Sequence, residues 1–238
     1  MKVAASLDGR TALTNGESRW ITSPQARADG HAWRGRADAV LTGIGTVLAD
    51  DPRLDVRLAP VSRQPDLVVL DSRLRTPADA QIFGLQRRLH IYSAGGADPA
   101  HAATLQAHGA RLVSMPGEGG RVDLAGMLQD LAAQGVKVLH VEAGAELNGA
   151  LLQAGLVDEL LLYMAPCLLG EGRAMAAFGP LATLSQAYVL SYDSVERVGP
   201  DLRVVARVRP RDEKSSEGTA RPERGDGDMK SGMPPSPA

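Results

Sequence analysis

The sequence lacks the features that mark secreted, membrane-spanning and nucleic-acid-binding proteins. Its 238 residues contain a single cysteine, Cys167, which excludes a disulfide framework and a cysteine-built metal cage within one chain. No apolar run approaches the ~20 residues of a membrane span, and Met1 leads directly into strand-like sequence without a signal-peptide core. The net charge of -2 gives no basic excess for a nucleic acid. We therefore expect a cytoplasmic protein that binds neither membrane nor nucleic acid.

The stretch 136–172 has the clearest pattern in the chain. Its β-branched run 136–141 predicts a strand buried on both faces, and a turn of small residues follows. Apolar residues then recur at helical spacing as far as Gly155, which would cap the helix, and a second strand is predicted at 158–166. Such a turn lets backbone approach a phosphate, and the helix N-terminus offers unpaired N–H groups. The pattern indicates a dinucleotide or another phosphate ester, although many α/β proteins have such turns with nothing bound.

The first part of the chain alternates predicted strands and helices with polar loops. A strand is predicted at 2–7, a polar loop at 10–22, a helix capped by Ser23 and a buried strand at 38–43. The loop carries Trp20, so it is either a binding loop or a cover for a core edge.

Residues 43–47 read Gly-Ile-Gly-Thr-Val, a partial glycine fingerprint at the end of a predicted strand. Leu48 occupies the position of the third glycine, which a Rossmann site needs for close helix packing, so no Rossmann site is expected. A phosphate-approaching turn without that fold stays possible. Asp50 and Asp51 follow, and without a histidine nearby they are assigned to helix termination and hydrogen bonding rather than to a cation.

Four polar residues are candidates for a phosphate site. Arg34 and Arg57 each follow an apolar residue, so each could stand at a pocket rim with its guanidinium fork free for a phosphate. The alternative is two ordinary surface arginines. Ser72 and Arg73 come just past a predicted strand, at the edge where α/β sheets bind ligands, or else they are turn residues.

The remaining pattern completes a single α/β domain over residues 1–209. A turn signal at 199–201 separates two predicted strands and indicates a C-terminal antiparallel hairpin. The alternating elements before it predict a mixed, mostly parallel sheet flanked by helices. Residues 210–238 are rich in charge, Ser, Gly and Pro and contain no aromatic residue, so we expect a disordered tail. The other predicted strands lie at 67–70, 89–92, 111–114, 188–192 and 202–208, and the other helices at 101–108 and 123–133.

Two short motifs imitate a zinc nucleobase deaminase. His140-Val141-Glu142 matches the His-x-Glu element, and Pro166-Cys167 matches the start of the cysteine element. Gly170 stands where the second cysteine is required, and His140 is expected to pack inside the protein at the end of a strand. We therefore predict no metal site.

Four segments have an order and spacing that are highly specific together. They are KVAASLDGRTAL at 2–13, GESRWITSPQAR at 16–27, TGIGTVLADDPRLDVR at 42–57 and VEAGAELNGALLQAGLVDELLLYMAPCLLG at 141–170. In these segments the chain resembles the reductase domain of the bifunctional riboflavin-biosynthesis protein, the family of 5-amino-6-(5-phosphoribosylamino)uracil reductases. The resemblance extends from Lys2 to about Val208. It implies a dihydrofolate-reductase-like fold, NADPH as hydride donor and, commonly, a homodimer.

The resemblance also implies site residues, position by position. The cofactor would contact Ala4, Trp20, Thr46, Asp50, Ser72, Gly144, Ala145, Glu146, Leu147, Asn148, Gly149 and Ala150. The substrate would contact Ser18, Arg34, Leu54, Arg57 and Glu142. Glu142 or Asp50 would orient the opened sugar or relay a proton, and no covalent nucleophile is assigned.

The implied reaction is reduction of the ribosylamino group of a phosphorylated aminopyrimidine by hydride transfer to the sugar C1 carbon of its ring-opened imine. The zinc deaminase domain that usually precedes this reductase is not in the sequence, so a separate deaminase or another part of the gene would supply the substrate. One alternative is a reductase of the same fold that acts on another pterin or pyrimidine, which would have little use for both Arg34 and Arg57. A second is a non-catalytic nucleotide-binding domain that serves a partner deaminase.

Overall fold

The structure is a computed structural model that describes residues 1–209, which form eleven β-strands and five α-helices. The strands are β1 (Lys2–Ser6), β2 (Arg10–Leu13), β3 (Ala39–Gly43), β4 (Asp66–Leu70), β5 (Leu89–Ser93), β6 (Ala110–Ser114), β7 (Leu139–Val141), β8 (Glu159–Ala165), β9 (Gly172–Ala174), β10 (Leu190–Val198) and β11 (Asp201–Val208). The helices are α1 (Pro24–Gly35), α2 (Ile44–Asp50), α3 (Pro99–Ala107), α4 (Leu124–Ala133) and α5 (Ala145–Gln153). The predicted tail 210–238 lies outside the described residues, and the domain boundary at 209 stays a prediction.

Parallel and antiparallel pairing are divided among three sheets. The largest sheet is parallel throughout and has the strand order β6-β5-β4-β3-β7. A second sheet has the order β1-β8-β11-β10, in which β1 runs parallel to β8 and the other pairs are antiparallel. The short strands β2 and β9 form an antiparallel pair. The expected α/β fold, with a mostly parallel sheet, flanking helices and a C-terminal hairpin, is confirmed.

The core of the parallel sheet follows from strands that are apolar on both faces. Leu67 and Val69 of β4 pack into one cluster with Leu105 of α3. Val68, which points to the opposite face because side chains alternate along a strand, packs into a second cluster with Met127 of α4. Burial on both faces requires helices on both sides of the sheet, and this arrangement leaves its edges and strand ends for ligands.

Helix termini agree with the sequence signals. The Ser23 hydroxyl accepts a hydrogen bond from the Ala26 N–H, with Pro24 at the first helical position of α1. Helix α5 ends at Gln153, and Gly155 follows with a positive φ of 67°. The predicted start of α1 and the predicted glycine cap of α5 are therefore confirmed.

Two predicted elements are wrong in part. The segment 10–22 is not loop throughout, because its first residues form β2, whose pairing with β9 is distant in the chain and leaves no local signal. The strand predicted at 136–141 is shorter, and it is not buried on both faces, since Val138 is 53% exposed. Within residues 1–209, β7 pairs with β3 alone, so it is an edge strand that keeps one side open.

Candidate active site

A cleft of about 600 Å³ opens where the carboxyl ends of β3 and β7 approach the side of β1. Several parts of the chain line it, among them the first residues of β1, the loop before α1, α1 itself, the segment that follows α2, and the turn between β7 and α5. Ligands of open α/β sheets bind beyond the carboxyl ends of the strands, and the parallel order of β3 and β7 creates such an edge here.

The cleft is electropositive, although the whole chain carries a net charge of -2. Seven basic side chains and three acidic ones line it, which gives a local net charge of +4. The acidic residues are Asp50, Asp51 and Glu142, and the basic residues are Lys2, Arg19, Arg27, Arg34, Arg53, Arg57 and Arg173. A concave surface with this balance favours anionic ligands such as phosphate esters.

A cluster of three charged side chains lies at the base of the cleft. Glu142 follows β7 directly, and its N–H donates to the carbonyl of Leu41 in β3, which fixes its position. Its carboxylate accepts two hydrogen bonds from Arg34 of α1, from Nε at 2.6 Å and from Nη2 at 2.9 Å. Lys2 of β1 brings its Nζ to 3.9 Å from the same carboxylate. The parallel pairing and the helix thus place an ammonium group beside a carboxylate that a guanidinium holds in place.

Burial and mutual attraction set the protonation of this cluster. Burial alone would raise the pKa of Glu142, but Arg34, His140 and Lys2 bring that pKa well below its ordinary value. Burial lowers the pKa of Lys2, and the nearby Glu142 opposes that shift. The site therefore holds an ionised carboxylate next to a lysine that gives up its proton more readily than an exposed lysine does.

The two arginines that were predicted to present free guanidinium forks differ in how far their guanidinium groups are already paired. The prediction is wrong for Arg34, because its guanidinium is committed to Glu142 and to the backbone carbonyl of Asp55. Arg57 is closer to the prediction: one nitrogen donates to the buried Asp55 carboxylate, while the side chain is 51% exposed at the rim of the cleft. Arg53 pairs with the same carboxylate at 3.1 Å. Burial alone would raise the pKa of Asp55, but these two arginines lower it.

The N-terminus of α5 forms another wall of the cleft. Gly144 is its N-cap, no described side chain caps the helix there, and no described atom lies within 4 Å of the position of a Cβ on Gly144. The first N–H groups of a helix have no partner inside the helix, so the amides of Ala145, Glu146 and Leu147 are available to an anion. Gly144 and Ala145 line the cleft, so the turn meets the geometric requirement for a phosphate.

Residues farther along α5 support the turn through packing. Asn148 lines the cleft and is buried, with its Nδ2 donating to the carbonyls of Ala143 and Met175. A Cβ on Gly149 would lie 1.8 Å from the carbonyl oxygen of Ala177, so only glycine permits this approach. In the part of the chain that the structure describes, the cleft lining does not include Glu146, Leu147, Gly149 or Ala150.

The other predicted residues fall mainly in the same cleft. Trp20 is 67% exposed at its mouth, with the Arg27 guanidinium 4.3 Å from the ring centroid. Asp50 is near the mouth too, 3.5 Å from Arg19. Ser72 follows β4 at the same sheet edge and, among the described residues, is not part of the lining. Four further predicted residues line the cleft: Ala4, Ser18, Thr46 and Leu54.

Sequence reasoning missed four residues of the site: Lys2, His31, Asp55 and Arg87. Lys2 is the one charged residue of β1, which is a signal that could have been used. His31 and Asp55 are buried, and Arg87 donates to the carbonyls of Arg53 and Leu54 from below the cleft. No local pattern distinguishes these three from surface residues, because their partners lie far away in the sequence.

Residues 1–209 contain neither a cluster of metal-ligating side chains nor a membrane-spanning helix. No group of three histidine, cysteine, aspartate or glutamate residues is arranged to hold a metal ion in this part of the chain. No helix in the same residues is long and apolar enough to cross a membrane.

Fold and cleft together define an α/β protein with an electropositive ligand site at the carboxyl edge of a parallel sheet. Comparison with known proteins gives the family: the sequence profile described as "RibD C-terminal domain" matches residues 1–204. The chain belongs to this family, and the resemblance to riboflavin-biosynthesis reductase domains is confirmed at that level.

Individual relatives agree with this assignment. The "Riboflavin biosynthesis protein RibD" of Escherichia coli K12 is 38% identical over 219 residues, which cover 85% of this chain and 57% of that protein. The solved structure of Acinetobacter baumannii RibD has a TM-score of 0.76 and 35% identity over 88% of this chain and 57% of that one. A structure from Thermotoga maritima, titled as a diaminohydroxyphosphoribosylaminopyrimidine deaminase/5-amino-6-(5-phosphoribosylamino)uracil reductase, has a TM-score of 0.72 and 25% identity over 87% of this chain and 55% of that one. The chain thus spans just over half the length of these relatives.

Proposed function

We propose that this chain is a reductase that uses NADPH to convert the ribosylamino group of 5-amino-6-(5-phosphoribosylamino)uracil into a ribitylamino group. Family membership and the Thermotoga maritima relative support this reaction class. The observation that carries the proposal is the cleft itself, which combines an open helix N-terminus with the cluster of Lys2, Glu142 and Arg34. A phosphate site and a proton-donating site thus lie in one concave surface.

The cofactor side of the proposal rests on the turn between β7 and α5. The amides at the start of α5 and the open space at Gly144 suit the pyrophosphate of a dinucleotide. Trp20 offers an exposed aromatic face for a ring, and Ala4, Thr46 and Asp50 line the same cleft. Ser72 lies at the same sheet edge, outside the cleft lining. When bound, the nicotinamide supplies the hydride. NADPH is preferred over NADH because the cleft has an excess of basic groups for one more phosphate.

The substrate side of the proposal rests on the basic groups near β1 and the segment after α2. Arg57, half exposed at the rim, binds the sugar phosphate, and Ser18 and Leu54 line the same cleft. Arg34 acts on the substrate through Glu142, because its guanidinium is already paired. The remaining negative charge of Glu142 orients sugar hydroxyls or the ring amine.

The side chains of the protein contribute one step to the reaction, the donation of a proton to the substrate. The Lys2 ammonium donates a proton to the sugar oxygen as the ring opens, and its lowered pKa favours that transfer. Glu142 holds the ammonium in place and stays ionised at neutral pH, so it acts as an orienting group rather than as an acid. Asp50 is assigned to the cofactor side, where it pairs with Arg19.

The proposal includes partners and location. A deaminase on another chain or on another part of the gene supplies the deaminated substrate, as the double title of the Thermotoga maritima relative suggests. We propose a homodimer, supported by β10, an edge strand with exposed apolar residues that include Tyr192 and Val195. A single free cysteine suits the reducing cytoplasm, which we propose as the location.

The test of the function is NADPH oxidation by the purified chain, followed by loss of near-ultraviolet absorbance. The substrate is made in place by a separate deaminase. Oxidation that requires this substrate is the expected result, and Arg57→Gln should raise KM for it. Arg63→Gln is the matched control, because Arg63 is an exposed arginine that pairs with Asp38 away from the cleft.

Other outcomes would replace the proposal. Tight NADPH binding with no oxidation would indicate the nucleotide-binding partner of a deaminase. Oxidation with an unphosphorylated pterin or pyrimidine, unaffected by Arg57→Gln, would indicate a reductase of the same fold with another substrate.

A further inference from the structure

The segment 53–57, which carries Arg57 into the cleft, is bound at every residue by a side chain from another part of the chain. Arg87 donates to the carbonyls of Arg53 and Leu54, and Arg34 donates to the carbonyl of Asp55. The amide of Gln64 binds both the N–H and the carbonyl of Val56, at 2.7 and 2.9 Å. The last contact belongs to His31, whose Nδ1 accepts the N–H of Arg57 at 3.3 Å.

These contacts hold an unfavourable backbone conformation. Leu54 has a φ of 50°, in the left-handed region that a bulky residue rarely adopts. Such a conformation persists only where surrounding contacts impose it, and it is common in binding sites. The segment is therefore a preformed wall of the cleft, and its shape depends on the four side chains that bind its backbone.

Among the four side chains that bind this backbone, His31 can accept its hydrogen bond only while Nδ1 carries no proton. It lies on α1 one turn before Arg34, is 6% exposed, and has Nδ1 3.5 Å from Nη1 of Arg34. Both groups that approach Nδ1 are N–H donors, so the nitrogen must carry a lone pair rather than a proton. A proton on Nδ1 would place three donors against one another.

We infer that His31 is a positioning residue of the substrate subsite: its unprotonated Nδ1 holds the peptide of Arg57, and thereby aims that guanidinium at the substrate phosphate. The inference rests on the proposed function for the identity of the substrate, and it adds a residue to which no role has been assigned. His31 touches neither the reacting atoms nor the phosphate in this account, and it acts through Arg57 alone.

The charges around His31 keep it neutral. Burial is the largest cause, followed by the cations Arg34 and Arg57, and together they lower the pKa of His31 to about 4. Glu142, which follows β7, and Asp55, on the segment itself, oppose that shift without cancelling it. At neutral pH the acceptor is therefore present, and it is lost as the pH falls toward 4.

The first test uses the intact chain without any ligand. Long-range ¹H–¹⁵N spectra of the histidines, with the His31 signals assigned by their loss in His31→Asn, report which nitrogen carries the proton. We expect a proton on Nε2, a bare Nδ1, no titration near pH 6.5, and a shifted Arg57 amide signal in His31→Leu. A proton on Nδ1, or a pKa near the ordinary 6.5, would overturn the inference whether or not the chain is a reductase.

The second test separates positioning from general structural support. His31→Leu removes the acceptor, whereas His31→Asn retains an oxygen close to the place of Nδ1. We expect His31→Leu to raise KM for the phosphorylated substrate about tenfold, the factor that corresponds to one lost hydrogen bond to a buried N–H, with kcat little changed. His31→Asn should restore most of the loss, and the KM of the wild type should be flat through pH 6.5 and rise only toward pH 4.

The outcomes distinguish the inference from the proposed function. Wild-type turnover with the same KM in all three proteins contradicts the role of His31 and leaves the reductase intact. Equal losses of kcat and thermal stability in both variants also contradict it, because they indicate a merely structural residue. If the wild type shows no turnover, the proposed function fails, and the spectra alone decide the acceptor role of His31.

Discussion

At the scale of single residues, the site depends on charges whose partners are distant in the sequence. Arg57 and Glu142 lie within the four segments, and Arg34 lies between two of them, so the family resemblance identified all three as site residues. Their pairing was not, because whether a guanidinium is free depends on what the fold places beside it. Lys2 and Glu142 are separated by 140 positions and meet only because the start of β1 and the end of β7 lie at the same cleft. Sequence therefore predicts the identity of site residues better than it predicts their ionic state.

The role of Lys2 gives the first prediction. Lys2→Met should lower kcat by roughly 10²-fold, the usual value of a positioned general acid, with little change in NADPH affinity. The wild type should lose activity as the pH rises through the lowered pKa of Lys2, below the ordinary 10.5, and the variant should lack this alkaline limb. Steady-state kinetics against pH provide the measurement. Lys137→Met, a change at an exposed lysine, is the control, and an unchanged alkaline limb in Lys2→Met would remove Lys2 from the chemistry.

Glu142 gives a prediction about stability. Glu142→Gln removes the negative charge between the buried Arg34 and the partly buried Lys2 and leaves both cations unbalanced, which we expect to cost ~3 kcal/mol. The pKa of Glu142 is lower in the folded chain than the ordinary 4.5, so its stabilising effect is present above pH 4.5 and is lost as the pH falls toward the folded value. Denaturant unfolding of both proteins across this range measures the difference. If the free energy of unfolding changed with pH equally in both proteins, the ionisation of Glu142 would not be linked to folding. Unchanged turnover in the variant would remove Glu142 from the chemistry.

At the scale of elements, helix termini that depend on neighbouring residues were predicted correctly, whereas strand pairing between distant residues was not. The cap of α1 by Ser23 and the glycine after α5 are determined by neighbouring residues, so the sequence predicts them. Strand β2 was missed because its partner β9 is more than 150 residues away, and β7 was predicted too long because its outer residues are exposed. Helix α5 was recognised, but its tight contact with Ala177 has no sequence signal other than a glycine.

Substitutions at two glycines, one in α5 and one beside it, test the close contact between α5 and Ala177. Gly149→Ala would place a Cβ 1.8 Å from the Ala177 carbonyl oxygen, so we expect a loss of ~1–3 kcal/mol or more as the two backbones separate. Because Asn148 binds the same region through the carbonyl of Met175, NADPH affinity should fall as well. The measurements are thermal unfolding and titration of NADPH fluorescence.

Gly144→Ala is the matched control for stability. Gly144 has a φ of -76°, which any residue adopts, and a Cβ there would meet no described atom within 4 Å. The melting temperature of Gly144→Ala should equal that of the wild type. A stable Gly149→Ala chain would show that α5 and the 175–177 segment are not in close contact in solution.

At the scale of the whole molecule, the sequence predicts the class of fold because its buried strands and amphipathic helices alternate along the chain. The division of the strands into separate sheets depends on which edges meet, and no local pattern encodes that. The cleft is likewise a property of the whole, since β1, α1, the segment after α2 and the turn before α5 each supply one wall. The tail 210–238 lies outside the described residues, and its predicted disorder stays a prediction.

The proposed homodimer is tested at this scale. Tyr192 is 72% exposed on β10, at the edge of the four-stranded sheet, and Val195 is exposed close by. We expect Tyr192→Asp combined with Val195→Lys to produce monomers in sedimentation analysis, because both changes place charge on an apolar contact. Leu184→Lys is the control, since Leu184 is exposed on the 3₁₀ turn before β10. A wild type that is monomeric at micromolar concentration would contradict the dimer.

The account as a whole claims that the cleft brings a nicotinamide and the C1 carbon of a phosphorylated ribosylamine together for hydride transfer. The most direct measurement is the fate of deuterium carried on the reactive nicotinamide carbon of the reduced cofactor, followed by mass spectrometry of the product. The account predicts one deuterium at the sugar C1 carbon of a ribitylamino product, and no transfer in Lys2→Met on the same time scale. Oxidation of the cofactor with no deuterium in the product, or recovery of unreduced substrate, would contradict it.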